Sequence, residues 1–108
     1  MSEIPTDARK SFGDAAPHLA ELTDTVLFGD VWKDDALSPR DRSLVTITSL
    51  IALYRINEMP FHFKRALDNG VTRKEIIGTI THLAFYAGWP PAMTALSIAR
   101  ELFAKEDG

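Results

Sequence analysis

Glu58-Met59-Pro60-Phe61-His62 sets a carboxylate four residues ahead of an imidazole. On a helix that spacing brings both side chains to one face. A carboxylate beside an imidazole raises its pKa and fixes its tautomer, the preparation of a general acid or base. The bland alternative is a solvated pair, because such neighbours are frequent on helix surfaces. A second stretch, His82-Leu83-Ala84-Phe85-Tyr86-Ala87-Gly88-Trp89-Pro90, repeats the spacing between His82 and Tyr86 in apolar surroundings. Here the alternative to chemistry is a buried histidine bonded to a neighbour, with Tyr86 and Trp89 as core or interface packing. Glu58, His62 and His82 also have the composition of a two-histidine, one-carboxylate metal site. Their spacing matches no ligand motif, and no metal is expected.

Other chemistries are excluded by what the chain lacks. It contains no cysteine, which removes disulfides, thiolate nucleophiles, iron–sulfur clusters and thiolate zinc sites together. It has no Gly-x-Ser-x-Gly elbow and no phosphate-cradling glycine loop. Twelve Lys and Arg are scattered among fifteen Asp and Glu, for a net charge of -3. A nucleic-acid binder needs a basic stripe, since phosphate neutralisation supplies most of its affinity, so nucleic acid is not an expected partner. No apolar run reaches the roughly 18 residues of a spanning helix. The opening Met1-Ser2-Glu3-Ile4-Pro5-Thr6-Asp7 carries an acid where a signal peptide is basic. The expected setting is the cytoplasm, with no membrane partner.

The 108 residues are one domain's worth. A chain this small buries about two-thirds of its unfolded surface, which leaves little depth for a closed site unless copies assemble. Thr6-Asp7 can cap a first segment with Ala8, Phe12, Ala15 and Ala16 as its apolar positions. Pro17 opens a second, in which Leu19, Leu22, Val26 and Leu27 recur at helical spacing; Gly13 leaves open whether one helix or two precede Gly29. Ser38-Pro39-Arg40-Asp41 is a helix start: a capping oxygen, a proline at the first helical position and an acid at the positive end. The run from Leu44 to Tyr54 is apolar around almost its whole circumference, and a helix of that kind must be covered on all sides, in part by another subunit. After a break at Arg55-Ile56-Asn57, a further element spans residues 59–69, closed by Asn69-Gly70. Thr72-Arg73-Lys74-Glu75 is a capping box that starts a helix through Ile76, Ile77, Ile80, Leu83 and Ala84, ended at Gly88. Trp89-Pro90-Pro91 begins the last helix, with Ala92, Ala95, Leu96, Ala99, Leu102 and Phe103 as its stripe and a fraying tail from Lys105. No hairpin signal appears. The expected fold is all-α, a compact bundle of about five to six helices. It is a single domain, 1–108, with an N-terminal helical segment at 1–36 and a core at 37–104.

From about residue 37 to 103 the chain resembles the carboxymuconolactone decarboxylase family of the alkylhydroperoxidase D-like superfamily. The resemblance rests on Leu37-Ser38-Pro39-Arg40-Asp41-Arg42-Ser43-Leu44, on Glu58-x-x-Phe61-His62 followed by Ala66-Leu67-Asp68-Asn69-Gly70, on Val71-Thr72-Arg73-Lys74-Glu75-Ile76, and on the stretch from His82 to Pro90. It implies an all-helical protomer that assembles into a ring-like homo-oligomer, a trimer or hexamer, with sites near subunit interfaces. The peroxidase branch of the superfamily works through Cys-x-x-Cys-x-x-x-His. Anchored on His62, the two cysteine positions hold Arg55 and Glu58, so this chain cannot run a thiol peroxidase reaction.

What remains resembles the decarboxylase branch, whose reference reaction takes carbon dioxide from 4-carboxymuconolactone without a cofactor. Such an enzyme must stabilise charge arriving on the lactone carbonyl oxygen and deliver a proton. The resemblance implies His62 as acid/base, Glu58 as its orienting partner, and His82 with Tyr86 as donors to the oxyanion. Trp89 would wall the pocket, and Arg55 or Arg42 would hold the substrate's second carboxylate. The implied substrate is a small carboxylated lactone or related oxo acid. The competing function is a non-catalytic oligomeric scaffold or accessory protein, in which the same residues serve assembly alone.

Overall fold

The computed structural model describes residues 8–108, so the expected Thr6-Asp7 cap lies outside it. Among the described residues all regular structure is helical. They fall into two compact units, one ending at Pro39 and the other running Arg40–Gly108.

In the first unit, α1 (Ala8–Phe12) stops one residue before Gly13, so Ala15 and Ala16 lie past its end and not on its stripe. The free N–H groups at its start are met from a distance: Ala8 donates to Asp24 Oδ1 at 3.0 Å and Arg9 to Oδ2 at 3.3 Å. Pro17 opens α2 (Pro17–Leu22), where its missing N–H is one that no helical carbonyl would have accepted. The chain continues through a widened turn at Thr23–Leu27 and a tight one at Val31–Lys33. The helical spacing is real, but Leu19, Leu22, Val26 and Leu27 all face outward, and Ala20 is the buried position.

The second unit carries the core. Helix α3 (Pro39–Ala52) begins at the expected proline, with Asp41 in its first turn. It ends in a left-handed cap: Tyr54 N–H donates to the Ile51 carbonyl and Arg55 N–H to that of Leu50. Tyr54 adopts φ 60°, a conformation glycine usually supplies at this position. Its hydroxyl lies 3.3 Å from Thr94 Oγ1, tying the end of α3 to the last helix. A tight turn, Ile56–Glu58, leads into α4 (Met59–Asp68). Gly70, at φ 100°, closes α4, with Val71 N–H reaching back to the Ala66 carbonyl. The Thr72–Glu75 capping box is fully formed at the head of α5 (Arg73–Tyr86).

Gly88, at φ 114°, turns the chain into α6 (Trp89–Asp107), which packs antiparallel on α5. The far end of this hairpin is closed by Arg73, which donates to both oxygens of Asp107 and lies 5.0 Å over the Phe103 ring. That grip explains why the tail expected to fray is helical through Asp107. Small residues on α6, Ala92, Ala95 and Ala99, let the helices approach closely. Ile47 and Ile51 of α3, Met59, Phe63 and Ala66 of α4, Val71 after it, and Ile76, Ile80 and Leu83 of α5 complete the core. On α3 the outward Val45 stays 56% exposed, so one chain covers only part of its circumference. Among the described residues no helix is long and apolar enough to cross a membrane.

Candidate functional site

Helix α4, which packs on α6, carries a row of polar groups and meets α3 through one of them. His62, Arg65 and Asn69 follow one another at spacings of three and four, hence on one face of α4. Asn69 Nδ2 donates to Ser43 Oγ of α3 at 3.0 Å. Ser43 and Arg65 are both buried, at 1% and 6% exposure. His62 is half-buried, set edge-on to Phe61 with ring centres 5.0 Å apart. Its Nδ1 is enclosed and has no hydrogen-bond partner. An enclosed polar atom left unpaired ordinarily costs about 1–3 kcal/mol, which singles out His62 as a candidate site residue.

The electrostatics differ from the expectation for a carboxylate–imidazole pair. Burial is the largest influence on His62 and lowers its pKa below the usual 6.5; the Arg65 charge lowers it further. Glu58, exposed at the head of α4, pulls upward and is outweighed. It does not hold Nδ1. Burial also brings Arg65 down to about 10, against the opposing charge of Asp68, so it remains a cation at neutral pH. One face of α4 thus carries an imidazole whose charged form is disfavoured and, three residues on, a buried guanidinium whose charge adds to that.

Arg65 was not legible as a site residue. Between Lys64 and Ala66 it reads as half of a basic surface pair, and only its place three residues after His62 hints otherwise.

His82 lies elsewhere. It is exposed rather than buried, and it stacks on Tyr86 with ring centres 4.6 Å apart and planes at 20°. It lines a groove of about 370 Å³ between α3 and α5, with Leu44, Thr48, Glu75, Gly78, Thr79 and Leu83. Neither Glu58 nor His62 lines that groove. Its acid, Glu75, is committed to Thr72 and Arg40; the Thr72 backbone N–H, followed by the Arg40 guanidinium, holds its carboxyl below the usual range. Among the described residues no set of three or more His, Cys, Asp and Glu is arranged to hold a metal ion.

The aromatic residues beyond His82 are outward too. Phe85 is 73% exposed, Tyr86 78% and Trp89 56%, with Phe85 and Trp89 meeting edge-to-face at 5.2 Å. They form a surface patch where α5 ends and α6 begins. Arg55 is exposed and opens the turn before Glu58, while Arg42 is half-buried on α3.

Comparison with known proteins places this architecture. The model of the carboxymuconolactone decarboxylase family matches residues 17–101. The chain is 41% identical over 76 residues to 4-carboxymuconolactone decarboxylase of Acinetobacter baylyi, covering 70% of this chain and 57% of that protein. It is 32% identical over 81 residues to nitrosuccinic acid decarboxylase of Metarhizium robertsii, covering 75% of this chain and 57% of that one. An uncharacterized 15.0 kDa protein of Paracoccus denitrificans is 30% identical over 82 residues, 74% of this chain and 61% of its own length. The chain thus spans less than two thirds of each of these relatives. On the family match and the all-helical core that carries His62, the chain belongs to the carboxymuconolactone decarboxylase family, within the alkylhydroperoxidase D-like superfamily.

Proposed function

We propose that this chain is a cofactor-free carboxy-lyase for a small carboxylated lactone or related oxo acid, in which His62 supplies the proton. One observation carries the reading: a half-buried imidazole with an unpaired enclosed nitrogen shares a helix face with a buried guanidinium. Two relatives named as decarboxylases support the reaction class. Loss of carbon dioxide leaves an electron pair that spreads onto a carbonyl oxygen, and the carbon must then be protonated. A fixed positive charge in a poorly screened place stabilises that anion without reorganising. Arg55 and Arg42 remain candidates for holding a second carboxylate.

His82 and Tyr86 take part in this chemistry through assembly. In the proposed homo-oligomer, a trimer or hexamer, a second copy covers the Phe85–Tyr86–Trp89 patch and brings donors to the reacting centre. Contiguous exposed aromatic surface of this kind is typical of interaction sites.

Purified protein is expected to release carbon dioxide from 4-carboxymuconolactone well above the uncatalysed rate, and to sediment as an assembly rather than a monomer. The scaffold reading is favoured by the same exposed patch. It requires intact assembly, no carbon dioxide release, and no rise in melting temperature with any of a panel of small carboxylic acids, because a true ligand stabilises by mass action.

A further inference from the structure

His62 and Arg65 stand on one face of α4; Arg65 is buried, and His62 is half-buried with its Nδ1 enclosed. Two positive charges side by side in such a place repel strongly, because little solvent screens them. Arginine has far the higher proton affinity, so it keeps the charge and the imidazole stays neutral while the site is empty. Other charges lie on the elements around it: Arg42 on α3, Arg55 and Glu58 on the preceding turn, Lys64 and Asp68 on α4, and Arg100, Glu101, Lys105 and Glu106 on α6. Glu58 acts on His62 in the opposite sense to Arg65 and more weakly.

We propose that a small carboxylate ligand is itself what protonates His62: the anion, bound against the imidazole, offsets the Arg65 charge, and the site takes up one proton as it fills. The binding step is independent of the reaction; its catalytic consequence rests on the lyase reading. In that reaction the bond to the carboxylate carbon breaks and carbon dioxide leaves as a neutral molecule. The electron pair stays on the substrate carbon and its conjugated carbonyl, and the imidazolium proton passes to that carbon. His62 returns to its neutral form beside Arg65, with one proton consumed for each carbon dioxide released. Arg65 acts through His62 and through the field it sets up, as a positioning charge.

The test is an NMR titration of the imidazole signals of the whole chain, whose three histidines are sorted by the loss of one signal in His62→Gln. The probes are succinate, an unreactive dicarboxylate, and succinamide, its neutral analogue. Succinate is expected to raise the proton affinity of His62 about tenfold, the effect of an opposite charge at close range. Succinamide, which displaces water without adding charge, should lower it or leave it unchanged. In Arg65→Gln the free His62 should bind its proton more tightly and the succinate increment should shrink, while Arg65→Lys restores the original pattern. If Arg65→Gln does not fold, the lysine variant and the contrast between the two probes decide. Succinate moving His62 no more than succinamide does, or by the same increment in Arg65→Gln, overturns the proposal. Coupling without carbon dioxide release sinks only the lyase reading, and release without coupling sinks only this one.

Discussion

His62→Gln is expected to lower the rate of carbon dioxide release by about a hundredfold or more while leaving thermal stability undiminished. The two halves of that result come from one structural fact. Nδ1 of His62 has no hydrogen-bond partner, so glutamine, of similar size, breaks no native bond when it replaces the ring. Glutamine cannot exchange a proton near neutral pH, and general acid–base groups contribute roughly a hundred- to ten-thousandfold. A histidine kept for structure alone would give the reverse, a loss of stability with activity falling only as the fold fails. Initial rates and melting curves on the same preparations separate the cases, and an undiminished rate removes His62 from the mechanism.

The second large effect concerns two phenylalanines that the sequence does not distinguish. Phe63 is fully buried among Ile47, Ile51, Met59 and Ala66, whereas Phe85 is 73% exposed. Phe63→Ala should cost about 3–5 kcal/mol, the transfer of the ring plus the cavity it leaves. Against a total stability of about 5–15 kcal/mol for a domain, that brings urea unfolding to far lower concentrations or abolishes the cooperative transition. Phe85→Ala should change the unfolding of the protomer by no more than about 0.5 kcal/mol and appear in sedimentation, through the patch it shares with Trp89. Equal destabilisation by the two would mean that the aromatic face is core.

Local chemistry made much of this fold readable before any coordinates. A proline at a first helical position, a Thr–Glu capping box and glycines at positive φ are decided by a few neighbouring atoms. Pro39, Thr72 with Glu75, Gly70 and Gly88 all stand where they were expected. Burial is decided by partners distant in the chain, and there the sequence was a poorer guide. Apolar spacing in residues 19–27 gave helix but not cover, since Leu19, Leu22, Val26 and Leu27 remain outward. The C-terminal tail is held by Arg73, thirty-four residues before Asp107.

The site divides in the same way. Glu58 four residues before His62 announced an interaction of the sign found, yet the net shift at the imidazole is set by burial and by Arg65, neither visible in a spacing. His82 and Tyr86 do meet, as their spacing required, but as a stacked exposed pair rather than in the core. Arg65, hidden by its basic neighbour Lys64, became a candidate only once its 6% exposure was known.

The most direct measurement is the pH dependence of carbon dioxide release, taken as kcat/KM and as kcat. Their limbs report the free chain and the occupied site respectively. If imidazolium is the proton donor, both must fall as pH rises, because the acid form is lost. Burial and Arg65 hold the free His62 below 6.5, so the kcat/KM limb should lie below that value. The kcat limb should lie at higher pH, since the bound carboxylate favours the imidazolium. Activity that rises with pH through this range, or a limb that persists unchanged in His62→Gln, would contradict the assignment of the proton to His62.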